Sequence, residues 1–241
     1  MATVEEHYDR LLSDVYSWMY GGWDAALARY TEFFAARGMT PQKSRRAVDL
    51  GAGCGFQAIP LARLKFQVTA IDLDRKLLAE LRKHAGDEKI ETVCANLVDF
   101  RRHVQEPVEL VVCMVDTLLH LDSEDTVERL FEDVFAALEP GGTFIATFRD
   151  FSVAAEDLDR FISVRNDERI IFTCFLEFEP TTVKVHDLVY RRVDGRWNFA
   201  KSFYRKLRLS TAWAVSTLRG VGFERVETEL DRGLVVVTAT K

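Results

Sequence analysis

Three closely spaced glycines follow a short apolar run in the stretch AVDLGAGCGFQAIPLA. Gly51, Gly53 and Gly55 would let a ligand lie against the backbone, because glycine lacks a Cβ atom and accepts positive φ. Asp49 stands just before them, where its charge would repel a phosphate and attract an amine. Phe56 occupies the place of the last glycine in the dinucleotide fingerprint G-x-G-x-x-G, so the loop differs from a pyrophosphate site.

Polar residues also follow the next two predicted strands. Asp72 ends VTAID, where a carboxylate can accept hydrogen bonds from ribose hydroxyls. Asn96 follows VCA, and an amide there can both donate to and accept from an adenine edge. Together with Asp49, these residues imply a ligand with a ribose, a base and a cationic amine but no phosphate. That description fits S-adenosyl-L-methionine (SAM).

The elements that must position these residues alternate between strand and helix. Predicted strands are AVDL, FQVTAID, IETVCA, VELVVCMV and TFIATFRD, and predicted helices are GFQAIPLARL, DRKLLAELRKHA and DSEDTVERLFEDVFAALEPGG. The last helix can be capped by Ser123 or Asp122 and is expected to stop at Pro140 and Gly141. This order predicts βαβ units and a parallel sheet, with ligands bound at the carboxyl ends of the strands.

Residues 151–208 have a different pattern, in which strand-like runs are separated by turn signals. Asp194-Gly195 between two alternating segments is a strong hairpin signal, so this part is predicted as an antiparallel insertion. The chain then returns to a helix, capped by Ser210 and ended by Gly220, and to the strand GLVVVTATK. Aromatic-rich residues 4–37 predict two helices, broken at the glycine pair GG.

The predicted fold is therefore a Rossmann-like, doubly wound α/β fold with a mostly parallel seven-stranded sheet. We expect an N-terminal helical cap at residues 1–40. The SAM-binding domain is predicted over 41–150 and 209–241, with the antiparallel insertion at 151–208 after strand 5 as a lid on the substrate side.

Composition excludes several classes of function. The net charge of −6 and a pI near 5.5 argue against a nucleic acid or an anionic membrane as partner. No apolar run reaches the ~18 residues of a membrane span, and the acidic start lacks a signal peptide, so we expect the cytoplasm. The cysteines form no C-x-x-C pair, and no cluster has metal-ligand spacing, so no metal is expected. The basic strip KSFYRKLRL is interpreted as the solvated face of a strand.

Six stretches in order resemble the class I SAM-dependent methyltransferases: VDLGAGCG, VTAIDLD, ANLVDF, ELVVCMVDTLLHL, LEPGGTFIATFRD and LRGVGFERV. The resemblance implies that the three glycines lie under the methionine part of SAM and Asp49 near its amine. It places Asp72 on the ribose and Asn96 beside adenine, and it makes S-adenosyl-L-homocysteine the product. The implied cofactor residues are Asp49, Gly51, Ala52, Gly53, Gly55, Asp72, Leu73, Asn96, Leu97 and Met114.

CMVDTLLHL and ATFRDF resemble the substrate-side segments of small-molecule N-methyltransferases of the glycine N-methyltransferase kind. Arg149 matches the arginine that holds a substrate carboxylate in that group. Asp116 stands where the group has an amide, and it could hold an ammonium, accept a proton or form a structural salt bridge with Arg149.

Further candidates lie beside these two. His120 is a candidate general base, with a packed histidine as the alternative. Tyr16 and Tyr20 share one helical face and could cover the sulfonium and the substrate or simply pack on the domain; Tyr20 is also a candidate proton acceptor.

The sequence thus predicts an enzyme that methylates a small molecule, with an amine or amino-acid-like acceptor favoured. O-methylation of a small carboxylate or phenol stays open, as does a SAM-binding protein without catalysis. A dinucleotide oxidoreductase would need the missing glycine. The oligomeric state is left open, with a homo-oligomer as one alternative.

Overall fold

The computed structural model describes His7, residues 11–12 and residues 15–241. The part of the predicted helical cap that precedes residue 15 therefore falls largely outside the described residues. Two helices follow, α1 (Tyr16–Met19) and α2 (Trp23–Ala36). Gly21 and Gly22 separate them, and both have positive φ, at 89° and 94°.

A seven-stranded sheet and a four-stranded sheet make up the β structure. The strands are β1 (Arg46–Leu50), β2 (Gln67–Asp72), β3 (Ile90–Cys94), β4 (Val108–Cys113), β5 (Leu138–Phe148), β6 (Phe161–Asn166), β7 (Ile170–Phe178), β8 (Thr182–Val193), β9 (Arg196–Leu207), β10 (Arg225–Asp231) and β11 (Leu234–Thr240). The large sheet has the order β10-β11-β5-β4-β1-β2-β3. Its pairs from β3 to β5 are parallel, and β11 runs antiparallel to both β5 and β10. The predicted fold class is confirmed.

The remaining helices cover the faces of the large sheet. They are α3 (Ala58–Arg63), α4 (Arg75–Ala85), α5 (Glu124–Ala137) and α6 (Thr211–Val221). Ser123 caps α5 by accepting the N–H of Thr126 at 3.2 Å, and Ser210 caps α6 in the same way at 3.1 Å, as predicted. None of the described helices has the length and apolar character needed to cross a lipid bilayer.

Two predicted helix ends are wrong. Helix α5 ends at Ala137 because Leu138 already has extended backbone and pairs with Val108, so Pro140 and Gly141 lie in an irregular part of β5. Helix α6 continues past Gly220 and ends at Val221, and Gly222, whose φ is 119°, forms the left-handed cap. The edge strand β10 also escaped prediction, since its side chains are mostly polar and exposed.

The four-stranded antiparallel sheet has the order β6-β7-β8-β9. Asp194 and Gly195 both have positive φ, at 50° and 76°, in the β8–β9 hairpin, as a type I′ turn requires. Buried side chains alternate along β7, β8 and the end of β9, where Tyr204 and Lys206 are both buried. The interpretation of KSFYRKLRL as a solvated basic face is therefore wrong for Lys206.

Candidate active site

The loop after β1 and the turn after β4 lie side by side, because β1 pairs with β4 on one edge and β2 on the other. Gly51 has a φ of +76°, and a Cβ there would stand 2.4 Å from Cγ2 of Thr117 in the turn after β4. Only glycine allows these two segments to approach so closely. The strand order reverses at this point, and ligands of open α/β sheets bind in such crevices.

Gly53 and Gly55 have different roles. A Cβ on Gly53 would have no neighbour closer than 3.8 Å, so this glycine borders open space. Its N–H donates to Asp72 Oδ2 at 2.8 Å. A Cβ on Gly55 would stand 2.5 Å from Cγ of Leu81, so Gly55 makes room for helix α4 instead. Gly55 does not line the cavity beside the loop, and the structure gives it this packing role.

A cavity of ≈ 380 Å³ opens beside this loop, within the size range of small-ligand sites. Its walls include six of the implied cofactor residues: Gly51, Gly53, Asp72, Leu73, Asn96 and Leu97. Ala52 and Met114 are buried in the core and do not line it. Asp49 is also absent from its walls. Six of the ten residues implied for the cofactor thus line this cavity.

Two carboxylates lie at this end of the sheet. Asp49 is fully buried, and its Oδ2 has no hydrogen-bond partner among the described residues. Burial, reinforced by the charge of Asp72, raises the pKa of Asp49 from 3.8 to about 8. Burial also raises the pKa of Asp72, although its carboxylate accepts the N–H groups of Gly53 and Asp74. An ammonium near Asp49 would supply the missing partner, so these residues fit the methionine and ribose parts of SAM.

Asn96 caps the 3₁₀ turn Leu97–Arg102, because its Oδ1 accepts the N–H of Val98 at 3.2 Å. The amide oxygen of Asn96 therefore has a local structural role. Its NH₂ group is not used in the cap, and the residue lines the cavity, so it can also donate to an adenine edge.

A second cavity of ≈ 420 Å³ lies between α1, the ends of β4 and β5, and the buried face of the four-stranded sheet. Its walls combine apolar side chains with Asp116, Arg149, Tyr204 and Lys206. The two cavities share Tyr16 and Val115, which line both. They are therefore adjacent, and any transfer between their ligands would occur at these two residues.

Val115 and Asp116 form a strained turn at this junction. Both have left-handed backbones, with φ of 57° and 64°, which costs about 1–2 kcal/mol for each non-glycine residue. Thr147 of β5 holds the turn, since its Oγ1 accepts the N–H of Val115 at 2.7 Å and its carbonyl accepts that of Asp116 at 3.0 Å. This turn conformation puts Val115 in the wall of both cavities.

Asp116 is the buried centre of an ion cluster that reaches solvent through Arg149. Its carboxylate accepts the backbone N–H of Arg149 at 2.7 Å, the guanidinium of Arg149, and Nζ of Lys206 at 2.7 Å. Burial alone would raise the pKa of Asp116, but the charges of Lys206 and Arg149 and their hydrogen bonds outweigh it and hold the pKa at about 2. Asp116 is therefore ionised and paired with two cations, which favours the salt bridge among the predicted alternatives over a role as proton acceptor.

His120 ends the 3₁₀ turn Thr117–His120 and lines the first cavity. Burial, together with the charge of Lys206, lowers the pKa of His120 to about 3. Its ring centroid lies 5.4 Å from that of Tyr204. The packed alternative describes His120 better than a general base with a near-neutral pKa does.

Tyr16 and Tyr20 pack against neighbouring aromatic rings, and each also lines a cavity. Tyr16 stacks on Phe56 with the ring planes 15° apart, and its ring lies 5.2 Å from that of Tyr20. Tyr16 lines both cavities, whereas Tyr20 lines only the second. Phe56, which replaces the fingerprint glycine, thus packs against both Tyr16 in α1 and Tyr20 just after it.

Comparisons with known proteins agree with this geometry. Residues 47–142 match the family model of a methyltransferase domain. The chain is 25% identical over 137 residues to a glycine/sarcosine N-methyltransferase of Aphanothece halophytica, covering 56% of this chain and 51% of the relative. It is 26% identical over 186 residues to a ubiquinone biosynthesis O-methyltransferase of Methylobacterium sp. (strain 4-46), covering 68% and 71%.

Among solved structures, SAM-bound CalS10, an amino pentose methyltransferase from Micromonospora echinaspora, matches with a TM-score of 0.70 and 16% identity. The match covers 95% of both chains, and it shows a shared fold.

The glycine loop, the carboxylate after β2 and the strand order agree with the match of residues 47–142 to a methyltransferase domain. Its cofactor is accordingly SAM. The chain spans about half the length of the Aphanothece relative that it matches.

Proposed function

We propose that this protein transfers the methyl group of SAM to a nitrogen atom of a small-molecule amine. The observation that carries the proposal is the junction of two cavities of similar size at Tyr16 and Val115. When bound, SAM supplies a methyl group on a positively charged sulfur. The four-stranded sheet supplies the acceptor side, as a lid over the second cavity.

The residues of the first cavity hold the cofactor in this proposal. Asp72 accepts hydrogen bonds from the ribose hydroxyls, and Asn96 donates to adenine. We assign the ammonium of the methionine part to the unpartnered Oδ2 of Asp49, which lies buried behind the glycine loop and outside the cavity wall. The ring of Tyr16 presents a π surface to the sulfonium, since aromatic faces attract cations.

The residues of the second cavity keep the acceptor nitrogen unprotonated. Asp116 is shared by two cations, so the cluster with Arg149 and Lys206 has a net charge of +1. A positive charge nearby disfavours the protonated form of a bound amine. The amine therefore binds neutral and loses its proton to water before transfer, and alignment at the junction supplies much of the rate.

The glycine/sarcosine relative supports nitrogen as the acceptor atom, and the ubiquinone biosynthesis relative keeps oxygen as a second candidate. The same cationic cluster favours oxygen in one case, because Arg149 and Lys206 would stabilise an ionised phenol or carboxylate. The identity of the methylated atom separates the two.

The test measures formation of S-adenosyl-L-homocysteine from SAM with a panel of small amines, amino acids, carboxylates and phenols. Turnover with amines, rising with pH as the free amine deprotonates, is expected. Asp72→Ala should weaken SAM binding about tenfold or more, because hydrogen bonds to a charged group are worth ~1.5–3 kcal/mol. Glu132→Gln, an exposed change on α5, is the matched control. Turnover with phenols or carboxylates alone would contradict N-methylation.

A further inference from the structure

Three arginines from separate elements line the outer part of the second cavity. Arg29 belongs to α2, Arg165 to β6, and Arg232 to the turn between β10 and β11. Arg165 and Arg232 are exposed and Arg29 is half-buried, whereas the Asp116–Lys206 pair is buried. The arginines therefore stand at the mouth and the ion pair at the bottom.

Aromatic rings support two of these guanidinium groups. Arg29 lies 5.5 Å from the ring centroid of Tyr30, and Arg165 lies 5.5 Å from that of Trp18. Trp18 itself donates to Asp167 at 2.6 Å, which fixes the ring beside Arg165. Stacking on a ring leaves the N–H groups of a guanidinium able to donate to a ligand.

The described wall of this cavity has more positive than negative charge. Its cationic side chains are Arg29, Arg149, Arg165, Lys206 and Arg232, and its carboxylates are Asp116 and Asp187. Asp116 is taken up by Lys206 and Arg149. Asp187 is buried and lies 2.7 Å from Nε2 of His7, and its other oxygen accepts a hydrogen bond from Sγ of Cys174 at 2.9 Å. Asp231 lies 3.9 Å from Arg232, and Asp167 interacts with Arg165, but neither aspartate lines the cavity. Among the described residues that line its outer part, the charged side chains are therefore the three arginines.

We propose that the acceptor carries an anionic group, a phosphate or a carboxylate, at a distance from the methylated nitrogen, and that Arg29, Arg165 and Arg232 bind it. This inference rests on the proposed function, because it assigns the second cavity to the acceptor. The planar guanidinium suits both anions, since two parallel N–H groups match two oxygen atoms. The ion cluster around Asp116 would thus contact the amine end of the acceptor, and the three arginines would bind its anionic end.

The test titrates the full chain, in the presence of S-adenosyl-L-homocysteine, with inorganic pyrophosphate and separately with succinate. The two anions distinguish phosphate from carboxylate as the preferred group. Each of Arg29→Gln, Arg165→Gln and Arg232→Gln should weaken binding of the preferred anion by about threefold to tenfold, and the triple variant by at least about thirtyfold. Arg219→Gln, an exposed arginine of α6, removes the same charge away from both cavities and should change nothing.

In turnover assays, the triple variant should raise KM for acceptors that bear an anion and leave kcat and SAM affinity unchanged. Equal binding of both anions to the wild type and the triple variant would overturn the inference. So would a set of active acceptors that lack an anionic group. If no acceptor is methylated, the proposed function fails, whereas the titration still reports separately on the arginines.

Discussion

Replacing Asp49 with asparagine should make the stability of the cofactor-free protein less dependent on pH. The asparagine side chain would keep an acceptor for the N–H of Ala58, the backbone hydrogen bond of the native carboxyl, and would remove the titrating group. In the folded protein, burial and the charge of Asp72 raise the pKa of Asp49 from 3.8 to about 8. The folded state therefore holds the proton more tightly than the unfolded chain does.

The sign and size of the effect follow from linkage. A carboxyl whose pKa is raised on folding contributes stability that is fully present below pH 3.8 and is lost as the pH rises to about 8. Across this window the loss is about 1.4 kcal/mol per pH unit. Between pH 5 and pH 7, the stability of Asp49→Asn relative to the wild type should thus increase by about 3 kcal/mol.

Urea denaturation of both proteins without cofactor, at pH 5, 6, 7 and 8, measures this difference. Glu132→Gln, which removes an exposed carboxyl of α5, should run parallel to the wild type. A constant difference between Asp49→Asn and the wild type at all four pH values would refute the reasoning, because it would mean that Asp49 is ionised in the folded protein.

The remaining predictions concern the turn, the ion cluster and a helix cap. Gly51→Ala should lower the free energy of unfolding by about 1–3 kcal/mol, because its Cβ would meet Thr117 and its φ is positive; denaturant midpoints check this. Lys206→Met should cost about 1–3 kcal/mol, since it leaves Asp116 with Arg149 alone, and Asp116→Asn in the same chain should recover part of the loss; a double-mutant cycle measures the coupling. Ser123→Ala should cost ~1 kcal/mol through the lost cap of α5, visible as a lower melting temperature.

The fold could be predicted because its determinants are local. Strand and helix periods alternate along the chain, and most turn signals lie between two such elements. The errors fall where tertiary pairing overrides local preference. Pro140 and Gly141 are helix-stop residues in isolation, yet the pairing of Leu138 with Val108 ends the helix earlier.

The cofactor side of the site could also be predicted, because its residues directly follow strands whose ends meet at one edge of the sheet. Gly55 shows the limit of that reasoning. The sequence cannot tell a glycine that borders a ligand from one that makes room for Leu81, since the difference depends on how α4 packs.

The acceptor side could be predicted only in part. Lys206 lies 90 positions from Asp116, and His7 lies 180 positions from Asp187, so no local pattern joins them. The alternation of KSFYRKLRL did indicate one feature of this side, because it puts Lys206 on the same strand face as the apolar ring of Tyr204. A lysine on the apolar face of a strand indicates a buried partner.

The most direct test of the central claim follows the methyl group itself. The protein is incubated with SAM labelled with ¹³C at the methyl carbon and, in turn, with each amine of the panel. The methylated product is then examined by NMR. We predict a single new methyl resonance bonded to nitrogen, formed in equal amount to S-adenosyl-L-homocysteine. A label found on oxygen, or SAM that binds but is never consumed with any amine, would contradict the account.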